Sequence, residues 1–120
     1  MKTVEEIISQ EPVFLQDWEG CQQEGVLKDF DGYGSESIRD TNIKILFAAY
    51  LYENYSGSAF VLFAKDGKLF EVNGGHCSCY GLEGQWEPEE VVLEELASRI
   101  KTNSYSFDGI AYELQNFIGV

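Results

Sequence analysis

The sequence predicts an α+β fold in which an antiparallel β-meander of about three strands carries helices on one face. Three observations lead to this class. An Asp-Gly pair separates two apolar runs, aromatic and aliphatic residues dominate the middle of the chain, and apolar residues recur at helical spacing in the last third. The chain has 120 residues, the size of one compact domain, so residues 1–120 are expected to form a single domain.

The meander prediction starts from Asp66-Gly67, because both central positions of a tight hairpin turn favour residues that tolerate positive φ. The flanking strands are predicted at Ser58–Ala64 and Lys68–Val72. An earlier strand at Lys44–Tyr52 is expected to pair through a turn at Glu53–Gly57. A buried helix over Ile43–Leu51 is the alternative, since a short apolar run does not distinguish strand from helix by its period.

Helices are predicted at both ends of the chain. Thr3 and Glu6 have the spacing of a capping box, which predicts a helix over Thr3–Gln10. Pro88 is typical of a first helical turn, and a second helix is predicted to begin there. Its apolar face is expected to consist of Val92, Leu93, Leu96 and Ile100.

The remaining segments have weaker patterns. A last helix is predicted over Asp108–Ile118 from its apolar spacing. Val13–Trp18 is apolar without a clear period, and Glu19–Asn42 is polar with four glycines, which predicts mostly loop.

The composition excludes several classes of protein. Hydrophobic residues make up 44% of the chain, too many for a disordered protein. No apolar run approaches the roughly 20 residues that span a bilayer, and no secretory signal is recognisable. An odd cysteine count of three favours a reducing compartment over a disulfide framework, so a cytoplasmic location is expected.

The charge is strongly negative, with 21 acidic against 8 basic residues and a net charge of −13. Such a chain repels nucleic acids and anionic membranes and favours basic partners. Solubility alone is the competing explanation. The partner-binding residues are predicted in two clusters and at one aromatic anchor: Glu83, Glu87, Glu89, Glu90, Glu94 and Glu95; Asp29, Asp31, Glu36 and Asp40; and Trp86.

His76, Cys77 and Cys79 are weak candidates for a metal site, with zinc as the metal. Adjacent residues on an extended chain point to opposite faces, which does not suit a tetrahedral site. Nearby carboxylates disfavour a thiolate nucleophile. We therefore interpret the segment as a structural corner with no cofactor. No catalytic motif is recognisable, so no catalytic residue and no enzymatic activity are predicted.

The block Ser58–Leu96, with its string HCSCYGLEGQWEP, resembles a recurring arrangement in small bacteriophage and prophage proteins of unknown function. The resemblance implies a phage protein acting in the cytoplasm of a bacterial host, and it brings no site residues. Together with the charge, it predicts an acidic, anti-CRISPR-like inhibitor of host defence. The expected partner is a nucleic-acid-binding protein such as a CRISPR effector or restriction enzyme.

Two alternatives remain open at this stage. One is a metal-stabilised binding module centred on His76, Cys77 and Cys79. The other is a small-molecule-sequestering protein whose pocket is lined by aromatic residues of the meander.

Overall fold

The structure, a computed structural model, describes residues 1–30, 42–53, 56–76, 82, 85–102 and 109–120, with the backbone alone at residues 52, 53, 56 and 76. These residues form helices and strands that we label in chain order. They are α1 (Val4–Ile8), β1 (Val13–Gln16), α2 (Gln23–Phe30), β2 (Lys44–Glu53), β3 (Ser56–Lys65), β4 (Lys68–His76), β5 (Glu89–Glu90), α3 (Leu93–Thr102) and α4 (Ala111–Ile118).

The fold is α+β, and its centre is the predicted antiparallel meander, formed by β2, β3 and β4. The prediction of about three strands is wrong at both edges of the sheet. The described strands form a five-stranded mixed sheet in the order β1-β2-β3-β4-β5. The alternative of a buried helix over Ile43–Leu51 is also wrong, because that segment belongs to β2.

The two additional strands are short. β1 lies parallel to β2, with Val13 opposite Phe47, and its four residues are half-buried, so no alternation marks it in the sequence. β5 pairs Glu90 with Phe70 and Glu89 with Glu71. Pro88 therefore precedes a strand instead of opening a helix, and α3 begins only at Leu93.

Helices pack on both faces of the sheet, which corrects the prediction that they occupy one face. The first face carries α1, α3 and α4, whose buried residues include Ile7, Leu96, Ile100, Leu114 and Ile118. The second face carries α2, formed by residues predicted to be loop, with Val26 and Phe30 packed beside Trp18 and Leu82. Each face of the sheet therefore buries its own hydrophobic cluster.

A β-bulge in β2 explains why this strand lacks a simple alternation. The register shifts between Ile45, which pairs with Phe63, and Phe47, which pairs with Leu62. Leu46 is the extra residue, as in other bulges. Consequently Leu46 and Phe47 both pack in the first cluster, whereas Ile45 packs in the second.

The predicted capping box at the start of α1 is confirmed. The hydroxyl of Thr3 accepts a hydrogen bond from the Glu6 amide, and the Glu6 carboxylate accepts one from the Thr3 amide, both at 3.2 Å. The same end of the chain is tied to α4, since the Lys2 amide donates to the Ile118 carbonyl at 3.0 Å.

Candidate binding surface at the β3–β4 hairpin

A groove of about 350 Å³ opens on the second face of the sheet, beside the β3–β4 hairpin. Its floor and walls are largely apolar, and charged side chains lie at the hairpin end. The lining residues are Ile43, Phe63, Lys65, Asp66, Lys68, Phe70, Trp86 and Pro88. A volume of this size accommodates a small ligand or one large side chain of a partner.

Three aromatic rings form the apolar part of the groove. Phe63 is 3% exposed and lies at the centre. Its ring stacks on Phe70 with centroids 5.4 Å apart, and on Trp86 at the same distance, with an interplanar angle of 17° in both cases. Phe70 and Trp86 are only half-buried, so they present ring surface to a ligand.

Two contacts fix the position of Trp86. Its ring packs edge-to-face with that of Phe30 on α2, with centroids 5.2 Å apart and an interplanar angle of 68°. The neighbouring Gln85 side chain pairs with the backbone of Gly75 on β4. It accepts a hydrogen bond from the Gly75 amide and donates one to the Gly75 carbonyl, each at 2.7 Å. Trp86 therefore follows a residue that is anchored to the sheet.

Two lysines flank the turn of the hairpin. The turn residues Asp66 and Gly67 have φ values of 54° and 76°, as the sequence predicts, and the pairing brings Lys65 opposite Lys68. Phe63 and Phe70 form the pair two residues further along the strands. Because side chains alternate between the faces of a sheet, the lysine pair and the aromatic pair lie on the same face.

A run of exposed carboxylates begins directly after Trp86. We call it the acidic strip, and it consists of Glu87, Glu89, Glu90, Glu94 and Glu95, all of them exposed. The strip begins two residues before β5, at the edge of the sheet, and follows the chain to the first turn of α3. Glu90 lies 3.9 Å from the ammonium group of Lys68 at the groove, and both side chains are more than half exposed.

The second predicted acidic cluster is described only at Asp29. This residue lies near the end of α2, and its carboxylate accepts a hydrogen bond from Nε1 of Trp18 at 2.6 Å. Asp29 thus satisfies the indole of a core tryptophan that is 1% exposed. Asp31, Glu36 and Asp40, and Glu83 of the first cluster, lie outside the described residues.

A buried carboxylate that the sequence did not predict lies on the opposite face of β4. Glu71 is 4% exposed. It accepts hydrogen bonds from the guanidinium of Arg99 on α3 and, at 2.9 Å, from the amide of Asn73. Its oxygens have partners within the protein, which indicates a structural role in holding α3 against the sheet.

Three residues predicted as metal candidates lie outside the described part of the chain: the His76 side chain, Cys77 and Cys79. Within the part that is described, no group of three or more His, Cys, Asp or Glu side chains is arranged to hold a metal ion. Cys21 is a free thiol that packs at the margin of the second cluster.

The lysine pair at the groove was missed, although the signal was present, whereas one of the two open alternatives expects a pocket lined by aromatic residues of the meander. A two-residue turn at Asp66-Gly67 fixes the register of the hairpin. That register implies the pairs Lys65–Lys68 and Phe63–Phe70 directly. Trp86 was predicted as a binding residue, but its packing against Phe63 depends on the path of the chain between β4 and β5.

No protein-family model, curated protein or solved structure matches this chain. Among the helices in the described ranges, none has the length and apolar character needed to cross a membrane.

Proposed function

We propose that this chain is a non-enzymatic binding protein that covers a basic, nucleic-acid-binding surface of another protein. The observation that carries the proposal is the position of Trp86. This residue lines an apolar groove on one side and leads on the other into five exposed carboxylates, Glu87, Glu89, Glu90, Glu94 and Glu95.

This arrangement is similar to the anatomy of protein interfaces. Binding energy in such interfaces concentrates at large aromatic anchors near the centre, and a polar, solvated rim surrounds them. Trp86 is half-buried and packs against Phe30 and Phe63. Its side chain therefore has a defined conformation before a partner binds. Preorganisation of this kind lowers the entropic cost of association.

The acidic strip supplies the attraction. Carboxylates accumulated on one edge steer a basic partner by long-range forces, and these forces weaken as salt is added. A protein that binds nucleic acid has a basic groove and is therefore the natural partner. The narrower form of the proposal is a phage-encoded, anti-CRISPR-like inhibitor that acts on a CRISPR effector or restriction enzyme in a bacterial cytoplasm.

The proposal is tested by immobilising the chain and passing over it a lysate from bacteria with an active nuclease-based defence. Bound proteins are eluted with rising salt and identified by mass spectrometry. We expect a nucleic-acid-binding protein that elutes only at high salt. In a binding assay with that purified protein, its cognate nucleic acid should compete with the chain.

Two variants with the same change in net charge then locate the contact. The first replaces four residues of the acidic strip with glutamine: Glu87, Glu89, Glu90 and Glu94. The control replaces Glu5, Glu11, Glu19 and Glu24, which are also exposed but lie before β2. We expect the strip variant to lose affinity and the control to retain it. Equal losses in both would attribute binding to net charge alone, and unchanged affinity in the strip variant would exclude the strip as the contact.

A further inference from the structure

We propose that the groove beside the β3–β4 hairpin receives one aromatic side chain of the basic partner, from a position that lysines and arginines flank. This inference rests on the proposed function, because the same partner meets the acidic strip at the same time. It adds the chemistry of the central contact: an uncharged ring that enters the groove against Phe70, Trp86 and Pro88.

The charges at the groove cancel, which favours an uncharged occupant. The ammonium group of Lys68 lies 3.9 Å from the carboxylate of Glu90, and Lys65 has an interaction partner of its own within the chain. With Asp66 at the turn, these two lysines and two carboxylates carry no net charge. A charged side chain would lose hydration in the groove without meeting a net opposite charge, whereas an apolar side chain is stabilised by burial.

The apolar wall favours an aromatic ring over an aliphatic side chain. The rings of Phe70 and Trp86 both stack on Phe63, each with an interplanar angle of 17°, and both are only half-buried. Aromatic rings favour offset stacking on one another, and such pairs contribute more than the burial of their apolar area. A ring from the partner therefore extends an ordered set of rings that exists before binding.

Residues of the groove and of the acidic strip alternate along the chain. Trp86 and Pro88 line the groove, whereas Glu87 and Glu89 are exposed strip residues directly after each of them. A partner segment that places a ring against Trp86 brings its neighbouring residues close to these carboxylates. Lysine or arginine at the neighbouring positions gives electrostatic complementarity, which selects the partner and accelerates association.

A ring flanked by basic residues is typical of surfaces that bind single-stranded nucleic acid. On such surfaces the bases stack on exposed aromatic side chains, and a positively charged groove follows the backbone. Duplex-binding surfaces depend instead on phosphate contacts and on hydrogen bonds to base edges. We therefore expect the occupant to be a ring on which a base otherwise stacks, so the partner's surface cannot hold this chain and its nucleic acid together.

The test is calorimetric titration of the full chain with three synthetic peptides, each with two basic residues on either side of a central phenylalanine, leucine or alanine. The peptides carry the same charge, so differences report the central side chain. At physiological ionic strength the phenylalanine peptide should bind about 5-fold or more tightly than the alanine peptide, and at least about 2-fold more tightly than the leucine peptide. Equal binding of the phenylalanine and leucine peptides, or no binding of the former at millimolar concentration, would overturn the proposal.

Substitutions to leucine assign the preference to the groove. Phe70→Leu removes one ring but keeps an apolar side chain, and it should reduce the preference for phenylalanine over alanine to about 2-fold or less. Trp86→Leu should act in the same way, because it removes the other half-buried ring. The matched control is Tyr112→Leu, since Tyr112 is 72% exposed on α4, which packs on the first face of the sheet. The control should keep the full preference, and a full preference in either groove variant would contradict the site.

One further variant separates a failure of this inference from a failure of the proposed function. Glu87→Gln/Glu89→Gln/Glu94→Gln leaves Glu90 beside Lys68 and should weaken all three peptides by a similar factor, about 3-fold or more. If it does so while the phenylalanine preference is absent, the acidic strip is the contact and this inference fails. If the preference is present and this variant binds every peptide as tightly as the unaltered chain, the groove is occupied and the proposed function fails.

Discussion

Arg99 on α3 donates a hydrogen bond to the carboxylate of Glu71 on β4, and Glu71 is almost completely buried. This ion pair joins a helix to the sheet across the first hydrophobic cluster. The Arg99 side chain is 45% exposed, so its charge stays partly solvated while Glu71 depends on it for compensation. We therefore expect the packing of α3 on the sheet to weaken when either Arg99 or Glu71 is replaced.

Replacing Arg99 with methionine should lower the free energy of unfolding by about 2 kcal/mol, because a buried carboxylate loses its cation. Urea denaturation measures this change. The double variant Arg99→Met/Glu71→Gln should recover much of the loss, since it removes the uncompensated charge. Lys68→Met breaks only the exposed contact with Glu90 and should change stability by less than about 1 kcal/mol. An equal loss in this variant would contradict the interpretation.

Asp29 is expected to act through Trp18. Asp29→Ala removes the acceptor of a core indole and should destabilise the chain by about 1–3 kcal/mol. The same variant should also change the near-ultraviolet circular dichroism of the tryptophans. Asp29→Asn keeps an acceptor oxygen and should lose less. Glu24→Ala, an exposed change on the same helix, is the control, and a loss as large as that of Asp29→Ala would count against the Trp18 contact.

Replacement by alanine should destabilise the chain at only one of two adjacent glycines of β4. A Cβ at Gly74 would lie 3.0 Å from Cδ2 of Leu82 and 3.3 Å from Cε1 of Phe30. Gly74→Ala should therefore cost about 1–3 kcal/mol by overpacking. At Gly75 the nearest atom is the Gly57 carbonyl oxygen at 3.9 Å, so Gly75→Ala should be neutral or stabilise by up to about 1 kcal/mol. Thermal denaturation compares the two, and equal effects would refute the close packing at Gly74.

Gln85 should control the order of the segment that carries Trp86. Gln85→Ala removes both hydrogen bonds to Gly75 and should destabilise the chain by about 1–3 kcal/mol. Faster hydrogen exchange of the Gly75 amide is the more specific readout. Gln85→Glu keeps an acceptor for that amide but cannot donate to the Gly75 carbonyl, so it should protect the amide without restoring full stability. Unchanged exchange in Gln85→Ala would exclude the anchoring role.

Local features were predictable from the sequence wherever their cause lies within a few residues. The capping box depends on Thr3 and Glu6 alone, and the hairpin depends on two turn residues that tolerate positive φ. The register of β3 and β4 follows from that turn. For the same reason the lysine and aromatic pairs of the groove could be derived from the sequence, although the lysine pair was not recognised there.

Features that depend on contacts between segments far apart in the sequence could be identified only from the tertiary structure. β1 is a strand because its backbone pairs with β2, about 30 residues later in the chain, and β5 consists of two glutamates that pair with Phe70 and Glu71. Neither segment has an alternating hydrophobic pattern that would predict a strand. Pairing with a neighbouring strand, and not intrinsic β propensity, therefore determines their structure.

By itself, then, the sequence determined the α+β class, the central meander, the capped first helix and the large negative charge, because each arises from local spacing or simple composition. Only the tertiary structure decided that α2 covers a second face, that Arg99 compensates Glu71, and that Trp86 stacks on Phe63 to form the groove. Each of these features is a contact between residues that are far apart in the sequence. Bringing such residues together costs conformational entropy, so the contacts stabilise the chain only after the sheet has formed.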